Sequence, residues 1–151
     1  MSETDWERLI KDTMDGGTSL TKKVFGGPNA MTAQEVLEFF QKNRAMVIST
    51  IGPSGAPHIT SVGFLIFEGG IYFRIAPQSA VDRHIRRNSR VAIAVVEPPF
   101  TVNVFIEGSV RLLDEASEAN LPVRAAFREK MSYDPEILGE VVPDKVFTHQ
   151  A

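Results

Sequence analysis

Five apolar segments rich in β-branched residues follow one another between residues 45 and 113, spaced too closely for anything but antiparallel pairing. Ala45–Ile51 is followed by the turn sequence Gly52-Pro-Ser-Gly-Ala-Pro57, then by a strand from His58 to Phe67. Glu68-Gly69-Gly70 reverses the chain into Ile71–Ile75. Arg90–Val96 is apolar almost without interruption, as a strand buried on both faces is, and Pro98-Pro99 ends it. The last segment, Val102–Leu113, contains Gly108 as an expected bulge. Short apolar strands leave unpaired edges unless the sheet closes, so the pattern favours a barrel over an open sheet.

Helices are expected around these strands. Thr32-x-x-Glu35 is a capping box ahead of Val36, Leu37, Phe39 and Phe40, with the helix ending near Asn43. A second box, Ser79-x-x-Asp82, opens a helix running to about Asn88 between the third and fourth strands. Glu115–Met131 has a helical pattern, with Pro122 in a first turn or at a kink. After Met131 only Lys145–Thr148 offers a sixth strand, so the barrel is expected to close differently there or to send its tail onto a partner subunit. Residues 1–30 read as an N-terminal arm, amphipathic from Asp5 to Met14 and broken at Gly16-Gly17 and Gly26-Gly27-Pro28, either flexible or packed on; residues 31–151 read as one domain.

Composition removes several chemistries. The chain of 151 residues has no cysteine, which excludes disulfides, thiolate nucleophiles and Cys-ligated metals. His58, His84 and His149 lack metal-ligand spacing, so no metal site is expected. No Gly-x-Ser-x-Gly elbow, Gly-x-Gly-x-x-Gly fingerprint or Walker lysine is present, and no catalytic side chain stands out. The polar, acidic start is unlike a secretory signal, and no segment has the apolar length of a membrane span, so a cytoplasmic protein with no membrane contact is expected.

Charge is distributed unevenly. Residues 74–90 hold Arg74, Arg83, Arg86, Arg87 and Arg90 against Asp82 alone, a local balance of +4 inside a chain of net charge −3. Ser79 at the helix start brings unpaired N–H groups, the positive dipole end and a hydroxyl, and Arg74 and Arg83 are within reach of the same point, which makes a small-anion pocket. Arg86, Arg87 and Arg90 suit a solvated helix face. The acidic flanks and the lack of interleaved exposed aromatics argue against nucleic acid. On the second strand, Thr60 and Ser61 point to opposite faces and Gly63 permits close approach of a flat ring; an ordinary half-buried strand is the alternative.

The runs Ser49-Thr-Ile-Gly-Pro-Ser-Gly-Ala-Pro-His-Ile-Thr-Ser-Val62, Ile71-Tyr-Phe-Arg-Ile-Ala-Pro-Gln-Ser-Ala80 and Arg83-His-Ile-Arg-Arg-Asn-Ser-Arg-Val-Ala92, followed by Ile106-Glu-Gly-Ser-Val-Arg-Leu112, resemble the pyridoxamine 5′-phosphate oxidase-like split β-barrel family of flavin- and deazaflavin-binding proteins. The resemblance spans about residues 32–114. It implies a mainly β (α+β), six-stranded antiparallel split β-barrel with flanking helices, working as a homodimer with the cofactor at the subunit interface. His58, Thr60, Ser61, Val62 and Gly63 would line the ring, and Arg74, Ile75, Ala76, Ser79 and Arg83 would lie near the phosphate. FMN is the expected cofactor, with the deazaflavin coenzyme F-420 as alternative and haem behind both. The expected activity is hydride transfer to or from a small conjugated substrate; the rival is a non-catalytic holder of a flavin, haem or other planar ligand. Ala80 and Val81 follow Ser79 where the family often has a basic residue, and Arg83 is the candidate substitute. Thr60 in place of a basic residue, and the lack of the Arg-containing C-terminal segment, argue against oxidation of pyridoxamine phosphate itself.

Overall fold

The computed structural model describes residues 1–99 and 101–151. Six antiparallel strands close into a barrel: β1 (Ala45–Ile51), β2 (Pro57–Phe67), β3 (Gly70–Ile75), β4 (Arg90–Glu97), β5 (Val102–Leu112) and β6 (Ile137–Gln150). Their spatial order is β1-β2-β3-β6-β5-β4, with β4 returning to β1. The β1–β2 turn is tied by Gly52 N–H to the Ala56 carbonyl, with Gly55 at φ +83°. Glu68 and Gly69, both at positive φ, form the two-residue turn between β2 and β3, a geometry that matches the strand twist. Five helices, α1 (Glu3–Asp15), α2 (Ser19–Phe25), α3 (Ala33–Lys42), α4 (Ala80–Arg87) and α5 (Leu121–Met131), pack around the barrel.

The sixth strand differs most from the sequence expectation. It is far longer than Lys145–Thr148, and it closes the barrel within the chain, pairing with β3 at one end and with β5 along its length. Pro143 masks it in the sequence, because proline removes a ladder N–H. In the structure Pro143 lies opposite Gly108 at a register shift, where Glu107 pairs with Lys145 and Asp144 is the extra residue. Gly108 is required there: a Cβ would stand 2.3 Å from the Val142 carbonyl oxygen. The irregularity expected at Gly108 is thus present, but the extra residue lies on β6 rather than on β5, and it accommodates the proline.

Two further readings are corrected. β4 alternates between buried Val91, Ile93 and Val95 and outward-facing Ala92, Ala94 and Val96, so one chain covers only one of its faces. The helix expected from Glu115 starts instead at Leu121, after a 3₁₀ turn at Glu118–Asn120, because Pro122 belongs in a first turn and disfavours helix upstream.

Both arms of the Thr32/Glu35 capping box form, and α3 sends Val36, Phe39 and Phe40 into the core. α1 packs on the same core, while Phe25 of α2 meets Phe105 and Phe147. Ser2 caps α1 reciprocally with Asp5, Trp6 is fully buried edge-on to Phe40, and its indole N–H donates to the Gly69 carbonyl at 2.8 Å. The Thr13 hydroxyl accepts from the Val146 N–H on β6. Among the described residues no helix is long and apolar enough to cross a membrane. Replacing Trp6 by Ala should cost about 3–5 kcal/mol of stability; a denaturant midpoint unchanged from the native chain would show that α1 is dispensable to the core.

Candidate functional site

The barrel opens on one side because β2 parts from β3 while β3 stays paired with β6 on its other edge. β2 and β3 pair from Phe67↔Gly70 to Phe64↔Phe73 and no further. Beyond that point residues 57–63 of β2 pair with β1 alone, while Arg74 and Ile75 pair with β6. The parted strands bound a cleft of about 230 Å³. Thr60, Ser61, Val62 and Gly63 form one lip, Arg74, Ile75 and Ala76 the other, and Ser79, Val81 and Tyr133 complete it. A strand edge without a neighbour offers main-chain donors and acceptors, so this lip can hydrogen-bond the rim of a planar heterocycle while Val62 and Ile75 supply apolar walls.

Gly63 matters for space. A Cβ there would lie 2.6 Å from Met131 Cε and 3.7 Å from the Tyr133 hydroxyl, so a larger residue would press on the end of α5 and the turn beyond it. Behind Gly63, Lys130 lies over the Phe64 ring at 5.7 Å; burial, with Arg44 nearby, holds its amino group below its ordinary pKa.

α4 brings its N-terminus to the cleft. Ser79 is the N-cap, its Oγ accepting from the Asp82 N–H at 3.2 Å, which leaves the hydroxyl hydrogen free to donate. The second arm of the expected capping box is displaced by one residue, since the Asp82 carboxylate accepts from the Gln78 N–H at 2.8 Å rather than from Ser79. Burial opposes ionisation of Asp82, but this bond and the Arg86 guanidinium at 2.7 Å hold its carboxyl below the usual range. The N–H groups of Ala80 and Val81 have no intrahelical partner, as the first turn of any helix requires.

The arginines of the basic segment separate by role. Arg83 donates to the Gln78 carbonyl at 3.1 Å, Arg86 pairs with Asp82, Arg87 donates to the Ile51 carbonyl at 3.2 Å, and Arg90 pairs with Asp144. Arg74 alone of the five lines the cleft, and among the described residues no carboxylate lies within ion-pair distance of it. Its guanidinium stands 5.4 Å from the centre of the Tyr133 ring.

His58 and Arg83, singled out in the sequence, lie outside the cleft. His58 instead meets His84 edge-to-face at 5.3 Å, and His84 Nδ1 shares a 2.9 Å hydrogen bond with the Thr50 hydroxyl. Sequence reasoning missed Tyr133, which follows α5 by two residues and reaches the cleft only because α5 packs across β2; no local pattern announces it. Val81 was noted for the charge it lacks, and it is a buried part of the cleft. Among the described residues no group of three or more His, Cys, Asp or Glu could hold a metal ion.

Residues 32–149 match the family described as Pyridoxamine 5′-phosphate oxidase. The chain belongs to that family. A search of the curated proteins finds no match. Among solved structures, the haem storage protein HutZ of Vibrio cholerae is 17% identical, with 77% of this chain and 93% of that one covered at a TM-score of 0.67. The FAD-binding protein of Mycobacterium smegmatis is 18% identical over 79% of this chain and 94% of its own, at 0.61. A protein described as an F420 reductase is 15% identical over 72% and 93%, at 0.58. These likenesses establish a shared pyridoxamine 5′-phosphate oxidase-like barrel, a fold whose members include flavin-, F420- and haem-binding proteins.

The buried His84 gives a pH dependence of stability. Burial first, then His58, Arg87 and Arg83, depress its pKa in the folded state. The unfolded chain therefore takes up a proton at higher pH than the folded one, so this contribution is intact above about pH 6.5 and is lost progressively as the pH falls below it. The denaturant midpoint should drop between about pH 7 and 5, with a shallower drop in His84→Gln; equal slopes in the two proteins would remove His84 as the cause.

Proposed function

We propose that the protein is a flavin- or deazaflavin-dependent oxidoreductase that transfers a hydride to or from a small conjugated substrate, with FMN as the first cofactor to test. The carrying observation is the convergence, in one cleft between parted strands, of the unpaired Arg74 guanidinium with the α4 N-terminus. The residues present suit a phosphorylated planar ligand: a cation, free N–H groups and the Ser79 hydroxyl at one end, and an open strand edge with apolar walls at the other. The ring of such a cofactor supplies the hydride chemistry. The protein's own residues anchor the phosphate, hydrogen-bond the ring rim through the β2 edge, and exclude water. That division of labour accords with a cleft that holds no acid–base pair.

A homodimer is part of the same proposal. The outward faces of β1, β2, β4, β5 and β6 form an apolar groove of about 370 Å³ lined by residues that include Val47, Ile59, Ala92, Ala94, Phe105 and Phe147, and Ile59 is 69% exposed. The cleft, at about 230 Å³, is smaller than the roughly 300–1,000 Å³ of typical ligand pockets, as expected if a second chain contributes part of the wall. Ile59→Asp should convert a dimer into a monomer in analytical ultracentrifugation, and a native chain that sediments as a monomer at micromolar concentration would refute the dimer.

The absorption spectrum of the purified protein, followed by titration with FMN, coenzyme F420 and haem, tests the cofactor. Binding of neither flavin would refute the oxidoreductase reading, and haem binding without flavin binding would favour a haem protein of the same fold. Arg74→Ala and Ser79→Ala should each weaken FMN by about 1.5–3 kcal/mol, the value of a charge-assisted hydrogen bond, while leaving riboflavin nearly unchanged. Equal losses for both ligands would mean that the phosphate is held elsewhere.

A further inference from the structure

The turn between α5 and β6 is held in place from both sides. Arg124, whose side chain is 12% exposed, donates to the Pro135 carbonyl at 2.8 Å, and Arg128 pairs with Asp134 at 2.9 Å. Ser132, left-handed at φ +63°, caps α5 with its N–H on the Arg128 carbonyl at 2.8 Å. Two arginines one helical turn apart thus clamp a five-residue turn at Asp134 and Pro135. What that turn presents is Tyr133, which packs edge-on to the buried Phe127 at 5.7 Å and projects into the cleft over Arg74. Tyr133 as a residue is 42% exposed, so burial of its own surface does not account for the clamp.

We infer that Tyr133 is a positioning residue: its ring holds the Arg74 guanidinium in the cleft and thereby makes the site select phosphorylated over unphosphorylated planar ligands. This rests on the cofactor reading above. An arginine side chain loses substantial rotamer freedom when it binds an anion. A guanidinium already held against an aromatic face has given up part of that freedom before the ligand arrives, and it remains charged and hydrogen-bonds through its edge while its face is occupied. Among the described residues no carboxylate performs this task for Arg74, and a carboxylate would neutralise the charge the anion needs. The aromatic face orients the cation without neutralising it. Val81 lines the cleft without a charge and Arg74 is the one basic side chain in the lining, so Arg74 carries this recognition together with the α4 N-terminus.

The test compares Tyr133→Phe, which keeps an aromatic face, with Tyr133→Leu, which keeps apolar bulk without one. Dissociation constants of FMN and riboflavin are measured for the full chain and both variants. Tyr133→Phe should retain the native riboflavin-to-FMN ratio within about twofold, whereas Tyr133→Leu should lower it by about fivefold, through weaker FMN binding with riboflavin nearly unchanged. A native ratio in Tyr133→Leu, or equal loss of both ligands, would overturn the inference. The Arg74 Nε–H resonance provides a readout without ligand: it should be ring-current shifted in the native chain and in Tyr133→Phe, and unshifted in Tyr133→Leu. An unshifted native resonance would also overturn it. Should the native chain bind neither flavin, the cofactor reading fails, and inorganic phosphate titrated against the same resonance decides the inference. Phosphate must then perturb Arg74 more weakly in Tyr133→Leu than in Tyr133→Phe, and no perturbation in the native chain would refute it.

Discussion

The structure depends on β6 pairing with two strands at once. Its first residues bond β3 and its remainder bonds β5, so the sheet closes and neither strand is left with a free edge. That pairing needs Gly108, because any side chain there would collide with the Val142 carbonyl and push the two strands apart. It also makes the cleft. β6 keeps the end of β3 in the sheet through Arg74 and Ile75 after β2 has parted from it, so residues 60–63 of β2 keep a single neighbour. The device that removes the outer edges of the sheet therefore leaves one short inner edge open, with the N-terminus of α4 beside it.

Electrostatics follows from this arrangement. A segment of charge +4 reads as one basic feature, but the fold disperses it: Arg86 and Arg90 meet carboxylates, and Arg83 and Arg87 cap carbonyls. What reaches the cleft is one guanidinium and one helix terminus, partly offset by Asp82 in the first turn. That amount of positive charge suits a single small anion and is too little for a polyanion, whose binding needs several cations along a track. The acidic flanks of the chain do not compete at this point, since none of their carboxylates pairs with Arg74 among the described residues.

Much of the barrel was legible because its signals are local. β-branched runs broken by Gly and Pro mark strands whatever surrounds them, and the ends of β1, β2 and β3 fell within a residue of the structure. The lips of the cleft were legible for the same reason, since Thr60–Gly63 and Arg74–Ala76 lie on those strands and Ser79 opens the helix between them. Where the expectation went astray, a distant residue decided. Lys145–Thr148 is the one part of β6 with a plain strand pattern, and the strand runs on through Pro143 because Gly108 lies opposite it at the register shift; the uninterrupted apolarity of β4 suggested burial on two faces where one chain covers one.

The sequence by itself determined the positions of β1 to β5, the N-caps of α3 and α4 and the residues that form both lips of the cleft, because hydrophobic alternation, turn chemistry and capping act over a few residues. Only the tertiary structure decided that the C-terminal segment closes the barrel, that Trp6 belongs to the core, that His58 and Arg83 lie outside the lining of the cleft, and that Tyr133 stands over Arg74. Each of these joins residues far apart in the chain, and their meeting depends on how strands and helices pack in three dimensions, for which no short stretch of sequence carries a signal.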